Sequence, residues 1–202
     1  MTSAAFGLVK PLEGTLNNLR TLARKRDTQA IVEQPRPLIA GEVRRPGMSY
    51  RVALSWEGGK LSGRLGGTVF GENVHLEAHG GEILGTAAST SRVLALHGHQ
   101  NGECLEYRLV GGTGQTAYLE PQQEGLGGRI YSEDRSLPMF VSLNSPTTTT
   151  ARVGLGPEVQ EIALEHGDLP PVVLGAALLL ADITAREAWR ALLSSYQGIA
   201  EG

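Results

Sequence analysis

The stretch Pro170 to Ala181 reads PPVVLGAALLLA, twelve residues with no charge and no hydrogen-bonding side chain. At about 1.5 Å per residue it makes a helical rod of about 18 Å. A bilayer core is about 30 Å thick and needs about 20 residues to cross it, so the rod is too short to span one. A helix that is apolar on every side is otherwise a buried core helix. Asp168 is placed to cap it, and Pro170 and Pro171 suit its first turn. The rest of the chain therefore has to supply a cover for all sides of this rod.

From about residue 38 to 166 the sequence reads almost entirely as strand and turn. Tyr50, Val52, Leu54 and Trp56 alternate with Arg51, Ala53, Ser55 and Glu57, a period of two with one wet face. Gly58-Gly59 then offers a two-residue turn that tolerates positive φ. The unit repeats 22 residues later, SYRVALSWEGGKLSG against GENVHLEAHGGEILG, with Gly63 matching Gly85. A degraded third copy begins at Val93, and further turn signals stand at Gly111-Gly112 and Gly127-Gly128. The 27 glycines of the 202-residue chain lack the collagen period and are read as turn residues. About twelve short strands result, the pattern of a meander or barrel.

Strands of five or six residues are about 17–20 Å long, which matches the rod. The sheet can cover every side of the helix by closing around it. The expected fold is thus mainly β, a closed antiparallel β-barrel of about twelve strands around a central C-terminal apolar helix, with flanking N- and C-terminal helices. Residues 1–36 form the expected N-terminal helical segment, 37–183 the barrel with its helix, and 184–202 a C-terminal amphipathic helix. The boundary at 183 rests on Thr184 and Glu187, spaced as a capping box, and predicts a break there. The residues expected to fill the barrel are Val172, Val173, Leu174, Leu178, Leu179 and Leu180.

About twelve strands followed by EIALEHGDLPPVVLGAALLLADI resembles the Tubby-like superfamily, which includes Tubby domains, plant LURP-one-related proteins and phospholipid scramblases. The resemblance covers roughly residues 38 to 183, and its specific part is that terminal stretch. It implies a twelve-stranded barrel around an apolar helix. The N-terminal helix and the helix after Thr184 are additions to the family pattern. The basic phosphoinositide-binding motif of Tubby domains has no match here. Nor do the cysteine-rich and calcium-binding segments of animal scramblases, so lipid scrambling does not carry over. The function implied is a non-enzymatic one, a cytoplasmic protein that binds an anionic lipid surface or a protein partner, peripheral to the membrane in the first case.

The residues themselves offer further candidates. Leu12, Leu16 and Leu19 stripe an expected N-terminal helix whose end carries Arg20, Arg24, Lys25 and Arg26, cations suited to an anionic lipid or partner surface. The same stripe suits packing on the barrel. Trp189, Leu192, Leu193 and Tyr196 form a stripe on the last helix and predict a homodimer or packing on the barrel wall. His75, Glu77 and His79 share the outer face of one expected strand, and His97 and His99 share a face of another. Imidazoles and a carboxylate across strands suit zinc or nickel, although the spacing matches no established motif and solvated surface histidines are the plainer expectation.

Other features weigh less. GGTGQT, residues 111–116, lacks the third glycine and following helix of a dinucleotide loop and reads as a hairpin turn. Glu133-Asp134 reads as a turn, and Cys104 as a core thiol. One cysteine excludes an internal disulfide framework and suits a reducing cytoplasm. The N-terminus lacks a signal-peptide pattern. A net charge of -3 gives no case for nucleic acid. No cofactor is expected. Two alternatives stand beside the Tubby-like reading: a bactofilin-like β-solenoid polymer, suggested by the 22-residue repeat, and a small metal-binding protein using His75, His79, His97 and His99.

Overall fold

A computed structural model of the chain describes residues 38–200, apart from 68–70 and 112–113, with side chains as far as 195. The expected N-terminal helix, with Arg20, Arg24, Lys25 and Arg26, lies outside the described residues, and so does the side chain of Tyr196.

Twelve strands follow one another: β1 (Ile39–Arg45), β2 (Met48–Glu57), β3 (Lys60–Gly66), β4 (Gly71–His79), β5 (Glu82–Ala88) and β6 (Val93–Asn101) come first. Then come β7 (Cys104–Val110), β8 (Gln115–Gln122), β9 (Gly125–Tyr131), β10 (Ser136–Ser145), β11 (Thr148–Val153) and β12 (Gln160–His166). Each pairs antiparallel with its sequence neighbours, and β1 pairs with β12, Ile39 opposite His166 and Arg44 opposite Glu161. The sheet is therefore a closed meander without edges, as the sequence predicts. The helix α1 (Pro171–Ala200) follows β12.

The repeated unit explains its own glycines. Gly58 and Gly59 have φ of 57° and 80°, and Gly80 and Gly81 have 59° and 91°, the double positive φ that joins two strands by a two-residue turn. Gly63 and Gly85, with φ of 142° and 150°, meet the preceding strand so closely that an added Cβ would lie 2.4 Å from the Ala53 carbonyl oxygen or 2.1 Å from that of His75. The repeat thus builds two hairpins, β2–β3 and β4–β5, rather than solenoid rungs. Closed antiparallel pairing sets the bactofilin-like alternative aside.

Alternation puts Tyr50, Val52 and Leu54 inside, with Leu61, Leu65, Val74, Leu76 and Ile83 following on the next strands. Every residue from Val172 to Arg186 is buried. That length of helix is about 22 Å, close to the 23 Å or so of a seven-residue strand. All six predicted lumen residues are at most 6% exposed.

Three expectations are corrected. First, α1 does not break at Ile183. Thr184 sits in mid-helix and its hydroxyl donates to the Leu180 carbonyl at 2.7 Å, satisfying itself without a cap. The third-position Glu187 pairs instead with Arg92. Second, the helix starts at Pro171, and the Pro170 carbonyl accepts from the amides of Val173 and Leu174 at 2.9 and 3.1 Å. Asp168 is exposed and precedes this turn. Third, Cys104 is exposed. It opens β7 on the outward parity, while Leu105, Tyr107 and Leu109 point inward.

Candidate functional site

The end of the barrel from which α1 leaves gathers most of the buried polar side chains, Glu72, Gln160, Asp182, Thr184 and Arg186. Asp182 is 1% exposed and Arg186 8%. One turn apart on α1, they pair through two nitrogens: Arg186 Nε donates to Asp182 Oδ2 at 2.9 Å, and Nη2 to Oδ1 at 3.0 Å. Arg186 Nη2 also donates to the Val153 carbonyl at 2.9 Å, tying helix to β11. Burial raises the Asp182 carboxyl above its ordinary range, against the pull of Arg186.

On the other side of the same mouth Arg92 bridges Glu72 of β4 and Glu187 of α1. Burial raises the Glu72 carboxyl as well, with Arg92 opposing. The Tyr50 hydroxyl donates to the Leu65 carbonyl at 3.3 Å. A cavity of about 540 Å³ opens beside these groups, lined also by Asn73, Ser91 and Thr184. The sequence reading missed this mouth. Glu72 is an alternating residue in a strand whose inward neighbours are Val74 and Leu76, and only closure shows that its place is at the rim.

The predicted metal-ligating residues lie where expected on the outer wall, but they do not form one site. His75 faces Ser62 and Thr86. Glu77 is held by Lys60 at 3.0 Å. His97 stands between Leu84 and Arg108. His79 and His99 share a row through Glu82, a residue the sequence reading did not single out. As the side chains stand, no group of three or more His, Cys, Asp or Glu among the described residues gathers around a common point. The five residues His75, Glu77, His79, His97 and His99 thus spread over three rows of the outer face, although the rings of His97 and His99 on β6 lie 6.3 Å apart.

The stripe on the last helix also divides. Trp189 is 2% exposed and buried in its own chain, Leu192 packs partly against the core, and Leu193 is 50% exposed. Trp189 is thus not open to a second copy. Elsewhere on the outer wall Tyr118, Tyr131 and Phe140 are exposed on the adjacent strands β8, β9 and β10. The two tyrosine rings meet edge to face at 5.9 Å. Gly111 and Gly114 belong to the connection from β7 to β8, and Glu133-Asp134 to the turn from β9 to β10, closed by Ser132 N donating to the Arg135 carbonyl at 2.9 Å. No helix among the described residues is long and apolar enough to cross a membrane.

No protein-family model, no curated protein and no solved structure matches the chain.

Proposed function

We propose that this chain is a Tubby-like, LURP-one-related binding protein with no catalytic step of its own, and that it works through the outside of its barrel. The lumen carries this reading. Barrels of the lipocalin kind hold a ligand in an open interior. Here Leu178, Leu179 and Leu180 are fully buried in that place. The surfaces left for recognition are the wall and the two mouths. Twelve antiparallel strands closed around a C-terminal helix is the arrangement that the Tubby-like resemblance implies, and it supports that assignment at the level of architecture.

On the wall, the exposed and touching rings of Tyr118 and Tyr131 favour a protein partner, since exposed apolar patches mark interaction sites. The second partner class, an anionic lipid surface met by Arg20, Arg24, Lys25 and Arg26, rests on the sequence alone. Both belong with a cytoplasmic protein, peripheral to the membrane when lipid is the partner.

Two experiments test the reading. A fluorescent fatty acid titrated into the full chain finds no saturable site if the lumen is filled. One-to-one uptake that changes Trp189 fluorescence places recognition inside and overturns the proposal. Sedimentation with phosphatidylglycerol vesicles at low salt then decides between the partner classes. Binding that replacement of Arg24, Lys25 and Arg26 by Ala abolishes selects lipid, because each surface cation contributes about 1 kcal/mol. No binding selects the protein partner.

A further inference from the structure

Strand register sorts the outer-wall histidines. His79 of β4 stands opposite Glu82 of β5, Glu82 opposite His99 of β6, and His99 opposite Glu106 of β7. One row across four adjacent strands is thus imidazole, carboxylate, imidazole, carboxylate. All four side chains are exposed or half-exposed on the outer face. Residues directly opposite one another have Cα atoms about 4.5–5.5 Å apart. The two imidazoles are therefore anchored about 10 Å apart, one on each side of Glu82. A metal sits about 2.1 Å beyond a ring nitrogen. Two rings leaning toward each other meet that distance at a point above Glu82.

The backbone under this row is held on both sides. His79 and Glu82 flank the Gly80-Gly81 turn of the β4–β5 hairpin, and the Gln100 amide donates to the Gly81 carbonyl at 2.8 Å. The Ala78 amide donates to the Gly59 carbonyl of the preceding hairpin at 2.8 Å. The neighbouring row holds Lys60, Glu77, Leu84, His97 and Arg108, with Lys60 beside Glu77 at one end and Arg108 beside His97 at the other. The His79 row has no cation until Arg129, beyond Glu106 and Tyr118. His99 Nε2 already stands 3.6 Å from Glu106 Oε2.

We propose that His79, Glu82 and His99 bind a divalent transition metal, zinc or nickel, on the outer wall, with Glu106 as the fourth group. Two imidazole nitrogens and carboxylate oxygens form a donor set that suits both ions. Binding turns four solvent-facing side chains on a fixed backbone, with no change in the barrel. The site borders the partner surface on β8–β10, since Glu106 stands opposite Tyr118.

Isothermal titration of the untagged, chelator-treated full chain with zinc chloride tests it. The expected result is one zinc per chain. His79→Ala, Glu82→Ala and His99→Ala each weaken binding about tenfold or more, and Glu106→Ala about tenfold. His75→Ala, two rows away on β4, leaves it unchanged. Circular dichroism confirms that each variant is folded. The proposal is overturned by the absence of binding, by binding that survives His79→Ala with His99→Ala, or by equal loss in His75→Ala.

Discussion

Gly175 of the central helix faces Tyr107 of β7 so closely that a Cβ on the glycine would lie 2.1 Å from the tyrosine oxygen. The same hydroxyl, fully buried, donates to the Val172 carbonyl at 3.0 Å. On its other side the ring covers Gly98 of β6, where a Cβ would meet Cδ1 at 2.4 Å. One aromatic side chain therefore locates the helix within the barrel, wedged between two glycines.

This wedge predicts strong coupling. Gly175→Ala overpacks the contact and should destabilise the chain by about 1–3 kcal/mol. Tyr107→Leu should also destabilise it, by removing ring volume and the hydroxyl bond. In the double variant the new methyl occupies space that the ring has left, so the two losses should sum to more than the double variant's loss. Urea unfolding of the four proteins measures this. Strict additivity would mean that the two residues do not touch.

The buried pair Asp182 and Arg186 predicts a different asymmetry. Asp182→Leu or Arg186→Met alone leaves one buried charge without its partner and should cost about 3–5 kcal/mol. The double replacement removes both charges and should recover most of that loss, although the bond from Arg186 to the Val153 carbonyl is not restored. Denaturation midpoints compare the three variants. A double variant as weak as the worse single one would show that the carbonyl bond, not the ion pair, holds this end of the helix.

Trp189 and Leu193 lie one turn apart on the same helix and should respond in opposite ways. Trp189→Ala empties a buried site and should cost about 3–5 kcal/mol. Leu193→Ala, on the exposed side, should change stability by no more than about 0.5 kcal/mol. Thermal melts separate them. Equal, small effects would mean that the helix beyond Glu187 is detached from the barrel.

Much of this architecture was legible in the sequence because it rests on local rules. Alternation set the faces of Tyr50, Val52 and Leu54, glycine pairs set the hairpin turns, and unbroken apolarity from Val172 to Ala181 required a closed cover. What escaped depends on partners distant in sequence. Thr184 with Glu187 looks like a helix start because Leu180 O and Arg92, the groups that satisfy them, are visible only in the fold. The pairing of His79 with His99 through Glu82 depends on register, since a strand face is readable from alternation and a cross-strand row is not. Cys104 was misread because it begins a strand, where a single residue gives no period.

The central claim is that the helix fills the barrel, and thiol accessibility tests it most directly. Cys104 is exposed and should react with a thiol reagent at once in the native protein. Leu179 is 0% exposed. In a Cys104→Ser background, Leu179→Cys should remain unreactive until the chain unfolds, its modification rate following global unfolding as denaturant rises. Native-state modification of Cys at 179 as fast as that of Cys104 would put the helix outside the barrel and contradict the account.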